Sequence, residues 1–439
     1  MIEIKDRYSF KEIIEAQKTP LDEKIEMSVE ILNRAFDLAK GPVCIAFSGG
    51  KDSTVLWHLI KTCLPDKSYK VLYGNTTVEF PECLQFARKL GKEWADDKVE
   101  FIECLPARLT EDGLKYEAQK EVLEWLIKED RLDEILKDDG KLKSTRTLEK
   151  KATPEMWEEF EKRGLVWKKG TMMSFRWCCD QYGYPILGKA AGKLTARRIN
   201  IDCFLRFSEP TTERKETLEY YELIKNVKTS NHCCSILKKE PMEAKQAELK
   251  CDVIIKGLMA EESHTRMLSI STRGCIFESS RPHAEKFYHI SPLGMWRDAD
   301  IWEYIHRFDV PYCSLYDMEY TNHKGETCKV KRNGCVGCCT DIAFRDAHIS
   351  VLRQTHPKRW EIEMKSGLGD QLMALAKYQS NGRINYASVA RNIDDMIDRR
   401  PCAFDDLGER IISNPITRSD YDPEYHQVDF SEYLAEMEA

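Results

Sequence analysis

Two hydrophobic periods alternate along the first part of this chain. Within residues 1–40, Ile25, Val29, Ile31, Leu32, Ala35, Phe36 and Leu38 recur at helical spacing, which predicts an N-terminal helical segment. At Val43-Cys44-Ile45-Ala46-Phe47 the pattern becomes a continuous apolar, β-prone run, the pattern of a strand buried on both faces of a parallel sheet. Ser48-Gly49-Gly50 interrupts it, and Val55, Leu56, Leu59 and Ile60 restore the helical period. Lys70–Asn75 and Val99–Glu103 read as further strands, with a helix running to about Leu90 between them; Asn200–Leu205 and Cys251–Leu258 read as two more. Strands alternating with helices predict an α/β fold, a parallel twisted sheet with helices on both faces.

That rhythm stops near Ala107. From there to about Gly170 the chain is charged and helically patterned, as in Glu121-Val122-Leu123-Glu124-Trp125-Leu126-Ile127, which predicts a helical insertion and not a structureless loop. Its Lys141, Lys143, Arg146, Lys150 and Lys151 form either a solvated face or a basic grip on an anion. The predicted organisation is an N-terminal helical segment over 1–40, an α/β domain over 41–340 interrupted by the insertion at about 107–170, and a C-terminal helical region over 341–439 with an acidic tail from Asp420.

Composition narrows the class. At 439 residues and a formal charge of −7, nothing global announces a nucleic-acid binder or a membrane-surface protein. No apolar run approaches the length of a bilayer span, and Met1-Ile2-Glu3-Ile4-Lys5-Asp6 is charged, unlike a secretory signal, so a cytoplasmic location with no membrane partner is expected. In a reducing compartment the 17 cysteines are not a disulfide framework. Cys44, Cys63, Cys104, Cys203, Cys251, Cys313 and Cys402 read as isolated core residues. The clusters carry more information: Cys233-Cys234 and the later Cys335-x-x-Cys338 supply four thiolates, a number suited to a [4Fe-4S] cluster. Zinc in a Cys₄ site is the competing reading, which adjacent cysteines suit poorly. Cys339, Cys328 or the pair Cys178-Cys179 are alternative ligands, and His232, beside the first pair, is either an acid/base or a packed neighbour.

The stretch from Val43 to Leu56 carries the strongest chemical signal. Strand, glycine loop and helix form the arrangement that cradles a phosphate: backbone amides point at the anion and Lys51 adds positive charge. The GxxxxGK[ST] spacing is absent; Ser48-Gly49-Gly50-Lys51-Asp52-Ser53 instead resembles the PP-loop of the ATP-pyrophosphatase superfamily, whose fold is adenine nucleotide alpha hydrolase-like. Four downstream segments are similar to the phosphoadenosine-phosphosulfate and adenosine-phosphosulfate reductase family. Asn231–Pro241 matches its CCxxxKxxP motif, and Asn75–Glu82 its DTGxxFPET segment with Asn75 in place of Asp. Gly257–Arg266 matches GxRxxESxxR with Met259 in place of the first Arg, and Pro292–Tyr312 matches PLxxW…DVWxYI…IPY.

The resemblance implies that Ser48, Gly49, Gly50, Lys51, Asp52 and Ser53 hold the phosphates of ATP or a sulfonucleotide, with Asn75, Glu262 and Arg266 completing the nucleotide site. Lys51, Asp52, Lys238 and Arg266 are the implied catalytic residues: Asp52 positions Mg²⁺ or caps the helix, Lys238 and Arg266 oppose negative charge on a leaving pyrophosphate, and Glu262 orients Arg266 or touches ribose. Assimilatory adenosine-phosphosulfate reductases use a CC…CxxC set of the present kind. Sulfonucleotide reductases also carry a nucleophilic cysteine in a Glu-Cys-Gly-[Leu/Ile]-His tail, whereas the last cysteine here is Cys402 in Arg400–Phe404. The expectation is therefore the branch that adenylylates an acceptor for sulfur incorporation, in character closest to the DndC/SspD type of DNA phosphorothioation. Its implied partners are a cysteine desulfurase or other sulfur donor, DNA, and other proteins of a phosphorothioation complex. Arg197/Arg198 and Lys329/Lys331/Arg332 are the candidate basic contacts to DNA. A sulfonucleotide reductase, served by a thioredoxin-like reductant, and a non-catalytic nucleotide-sensing regulator are the alternatives.

Overall fold

Val43–Phe47 forms β1, and its burial on both faces follows from having no polar side chain to hydrate. The computed structural model describes residues 3–138, 143, 146–186, 228–340, 342 and 346–372, with backbone alone at 373–376, 403–404 and 410–411. The expected strand Asn200–Leu205, the candidates Arg197 and Arg198, and Cys402 lie outside these residues.

The described residues fold as two compact units, one drawn from Met1–Leu105, Lys238–Met318 and Val330–Asn333, the other from Pro106–Leu237, Glu319–Lys329 and Gly334–Ala439. In the first unit the elements in chain order are α1 (Phe10–Gln17), α2 (Leu21–Leu38), β1, α3 (Lys51–Cys63), β2 (Tyr69–Gly74), α4 (Pro81–Trp94) and β3 (Val99–Cys104). After Lys238 come α5 (Glu240–Glu248), β4 (Val253–Lys256), α6 (His264–Arg273), β5 (Ile276–Arg281), β6 (Ala284–Ile290) and α7 (Asp298–Arg307). One six-stranded sheet, ordered β3-β2-β1-β4-β6-β5, holds them. Five strands run parallel, with Ile45 paired to Val71 on one side of β1 and to Ile255 on the other. The sixth, β5, is antiparallel to β6 with a register shift between Ser279 and Arg281. No apolar run marks this hairpin, because Glu278, Ser279, Arg281, Glu285 and Lys286 interrupt it.

Aromatic side chains fill the space on one face of the sheet: Trp57 of α3 meets Phe47 at 5.3 Å and stacks on Phe101 at 6.1 Å, and Tyr73 stacks on Phe101 at 5.9 Å. Such pairs contribute about 0.5–1.5 kcal/mol each beyond the area they bury. α2 presents Leu21, Met27, Ile31, Leu32 and Ala35 to the core at helical spacing, and buries Lys24 among them. Lys24 Nζ donates to Asp300 at 2.5 Å and to the Gln17 carbonyl at 2.8 Å. Burial pulls the Lys24 ammonium down from its ordinary range, while hydrogen bonds from Arg297 and Lys24 outweigh the burial of Asp300 and hold its carboxyl low. Trp296 donates to Ser28 at 2.9 Å, and Ser28 to the Pro292 carbonyl at 2.8 Å. The PLxxW-like segment is thus part of the core that seats α2.

In the second unit, the helix Tyr116–Lys128 turns Ala118, Val122 and Leu126 toward Leu114, Ile135, Leu148 and Phe160, a small core of its own. The helices Thr147–Lys151 and Pro154–Lys162 follow, the latter capped by Thr153. Two described basic residues of this segment are paired locally, Arg146 to Glu111 at 2.8 Å and Lys151 to Glu134 at 2.7 Å, which fits a solvated face. The C-terminal region is helical over His348–Thr355, Pro357–Glu363 and Gly369–Ala376. Among the described residues, no helix is long and apolar enough to cross a membrane.

Candidate functional site

The loop after β1 is built by its own side chains. Ser53 donates to the Gly50 carbonyl at 2.9 Å, its hydroxyl lies 3.1 Å from that of Ser48, and Thr54 also donates to the Gly50 carbonyl at 3.0 Å. Gly49 has φ +70°, and a Cβ there would lie 3.2 Å from the Cys83 carbonyl, so both backbone sign and space require glycine. Gly50 precedes the first residue of α3, whose N-terminal amides and partial positive charge favour an anion.

Lys51 is buried, and its Nζ is held between Asp52 at 2.7 Å and Asp298 at 2.8 Å. Burial works against the ammonium, but the two carboxylates outweigh it and raise the lysine above its ordinary range. Its backbone N–H donates to the Tyr316 hydroxyl at 3.2 Å. Asp298 opens α7, and its N–H donates to Glu261 at 2.6 Å. Two residues on, Asp300 points into the core instead, so neighbouring carboxylates of one helical turn serve the loop and the fold separately.

Glu262 and Arg266 form an ion pair, and Glu262 also accepts from the Met259 N–H at 3.0 Å. Met259, standing where the related motif has arginine, is buried. Arg332 donates to the Glu262 carbonyl at 3.1 Å, which brings a second guanidinium to the same place. Burial and then Arg332 lower Arg266 from its usual range, with Asp52 opposing them. Asn333 donates to the Ser48 carbonyl at 3.2 Å, and its amide lies 2.8–3.2 Å from where a Gly50 Cβ would stand. Asp298, Tyr316 and Asn333 were missed in the sequence, and Arg332 was assigned there to a DNA contact; its bond to Glu262 places it at the loop.

Asn75 is buried, donating to Glu103 at 2.5 Å and accepting from the Thr77 N–H at 2.7 Å. Glu103 is also bound by Arg88 at 3.0 Å. An aspartate at 75 would face that carboxylate, which explains the asparagine. Lys238 is exposed at the end of the π-helical turn Cys234–Lys239 and within electrostatic reach of half-buried Glu79. Asp52 and Asp298, brought together by one ammonium, fit the Mg²⁺ that the PP-loop resemblance implies: Mg²⁺ uses one or two carboxylates plus phosphate oxygens.

The second unit holds the cysteines expected to ligate a cluster. Cys233 is buried and Cys234 exposed; Cys335 and Cys338 are half-buried on one turn, closed by a 3.0 Å bond from the Cys338 N–H to the Cys335 carbonyl. A hydrogen bond with Cys234, then burial, then the thiols of Cys234, Cys179 and Cys178 raise Cys233 well above its ordinary range. Cys178 and Cys179, both buried, belong to the short helix Phe175–Gln181. Among the described residues, no three His, Cys, Asp or Glu side chains close on a point as a single-ion site would require. The donor type alone, thiol sulfur, is that of an iron–sulfur cluster. His232 stacks on Tyr182 at 4.7 Å. Cys328 lies in the separate hairpin Glu319–Thr321/Thr327–Lys329, with Asn322 3.4 Å from its sulfur. Four cysteines expected to stand alone do not: Cys313 lies 3.5 Å from Cys83, and Cys44, Cys104 and Cys251 share one core cluster.

The model of the phosphoadenosine phosphosulfate reductase domain matches residues 42–153 and 191–339. A phosphoadenosine 5'-phosphosulfate reductase of Xylella fastidiosa strain M23 is 29% identical over 133 residues, 27% of this chain and 52% of that protein. An adenosine 5'-phosphosulfate reductase of Staphylococcus haemolyticus is 23% identical over 138 residues, 31% of this chain and 49% of that one. The chain therefore spans about half the length of the curated relatives it matches. The crystal structure of a phosphoadenylyl-sulfate reductase from Candida auris in complex with phosphate is 14% identical, covering 71% of this chain and 92% of that one at a TM-score of 0.30. The family model takes in more than half of the 439 residues, and the chain belongs to the phosphoadenosine phosphosulfate reductase domain family.

Proposed function

We propose that this protein is an adenylylating ATP pyrophosphatase that prepares an acceptor for sulfur incorporation, the acceptor being a DNA backbone. The observation that carries the reading is Lys51 clasped by Asp52 and Asp298 in a loop that otherwise favours anions. Two carboxylates beside a phosphate site repel the ligand unless a cation arrives with it, and Mg–ATP brings one. Lys51 and the loop amides hold the phosphates in place. Arg266 and Arg332 face charge that grows on the departing pyrophosphate as an acceptor oxygen attacks the α-phosphate. Mg²⁺ bound by Asp52 and Asp298 would neutralise further phosphate charge. Sulfide-level sulfur then displaces AMP, the phosphorus–sulfur bond forming as the bond to AMP breaks; the persulfide of a cysteine desulfurase reaches that level by two-electron reduction from a thiol donor. A cluster held among the cysteines would supply iron for sulfur binding.

A second reading, sulfonucleotide reduction, is favoured by one observation: the curated relatives it matches are reductases. The deciding experiment is pyrophosphate release from ATP by anaerobically purified protein, with and without Mg²⁺ and DNA. Mg²⁺-dependent release that DNA increases and that Lys51→Ala abolishes supports the proposal. Turnover of an activated sulfate with no response to ATP sinks it in favour of the reductase.

A further inference from the structure

We propose that Cys178 and Cys179 supply two of the four thiolates that a cluster takes, so that the CC…CxxC set does not supply all four. The inference rests on the iron–sulfur part of the preceding reading.

Three segments far apart in sequence are stitched together around these two thiols. The first is the helix Phe175–Gln181 with the residues that follow it. The second, Lys228–Cys234, is tied to it at several points: Lys228 donates to the Asp180 carbonyl, Tyr184 and Thr229 form a parallel bridge, the Ser230 N–H donates to the Tyr184 carbonyl at 2.9 Å, and Tyr182 stacks on His232. These ties set Cys233 beside Cys178 and Cys179. The third is the turn Cys335–Cys339. Its Cys339 N–H donates to the Pro185 carbonyl at 2.9 Å, and a Cβ on Gly337 would lie 2.8 Å from the Phe175 ring. The helix carrying Cys178 and Cys179 is thus the wall on which both other cysteine segments pack.

The helix Pro357–Glu363 closes the same place. Glu363 is wholly buried, with Oε1 2.6 Å from Arg359 and Oε2 without a hydrogen-bond partner. That free oxygen lies 3.0 Å from where a Gly337 Cβ would stand. Burial disfavours the charged form of this carboxyl, and a thiolate-ligated cluster, itself negative, brings it no compensating cation. Soft thiolates select iron–sulfur clusters or zinc over hard cations, and the spread of the donors across three segments favours the cluster.

The test is anaerobic reconstitution of the full chain with iron and sulfide, comparing wild type, Cys178→Ser, Cys179→Ser, the double variant, and Cys44→Ser as a buried-thiol control. Iron and acid-labile sulfide are counted, and Mössbauer and electron paramagnetic resonance spectra recorded; circular dichroism of the metal-free proteins establishes that each variant folds. The expected result is that the double variant loses at least half its iron, and a single variant shows a shifted spectrum from serine oxygen ligation, with Cys44→Ser unchanged. Spectra and iron content equal to wild type in all folded variants would overturn the inference alone. A wild type that takes up no iron and sulfide removes the iron–sulfur reading as well.

Discussion

The phosphate-loop unit and the cysteine unit solve the problem of assembling a site in opposite ways. In the first, six consecutive residues at a strand-to-helix turn supply the loop, and distant chain adds single side chains: Asp298, Tyr316, Arg332 and Asn333. Its charges are cross-paired before any ligand arrives, so the site is preorganised at a cost paid by the sheet beneath. In the second, the clustered cysteines sit on three segments far apart in sequence, tied by backbone hydrogen bonds and one ring stack. A contiguous motif tolerates the loss of remote contacts; a convergent centre depends on them.

The difference can be broken or sharpened by substitution. The largest effect is expected from Asp300→Asn, which strands the buried Lys24 ammonium and should cost about 3–5 kcal/mol in a thermal melt. Because the folded Asp300 carboxyl is held low, its contribution is complete above the ordinary carboxylate range and is lost as pH falls through its folded value, so the gap between wild type and variant should close in acid. Iron uptake by the folded variant should not change; a loss would mean that the two units are energetically one. Next comes Lys51→Ala, expected to cut pyrophosphate release by about 10²–10³-fold with iron and sulfide content intact. Equal loss of both would dissolve the comparison.

Gly49→Ala puts a side chain at positive φ against the Cys83 carbonyl, and denaturant titration should show a cost of about 1–2 kcal/mol together with weaker ATP binding. The smallest change is Asn75→Asp. It restores the residue usual in the related motif, yet it should destabilise by about 1 kcal/mol at neutral pH, because a donor to Glu103 becomes a second carboxylate. A stabilised Asn75→Asp protein would show that Glu103 is not what holds this position.

These contrasts also decide what could be read from the chain. β1, the glycine loop and α3 are legible because burial, turn chemistry and helical spacing all act within a few residues. The hairpin β5–β6 is not, since an edge pair half-exposed to water needs no apolar run. Asp298 carries no local mark distinguishing it from Asp300; only the seating of α7 separates a carboxylate at the loop from one in the core. The pair Cys178-Cys179 was visible as a cluster, but its neighbours are set by hydrogen bonds spanning more than forty residues, which no period encodes.

The order of strands in the sheet carries a last consequence for synthesis. β1 pairs with β2 almost at once, but its other neighbour, β4, lies roughly 200 residues further along the chain. At a ribosome speed of 5–20 residues per second, the second edge of β1 waits about 10–40 s for its partner. During that interval an apolar strand with unpaired amides is open to any other nascent strand. The cysteine-bearing segment Phe175–Gln181 emerges within that same wait. The topology therefore leaves one edge of an apolar strand, and the thiols of that helix, unpartnered by β4 through this part of synthesis.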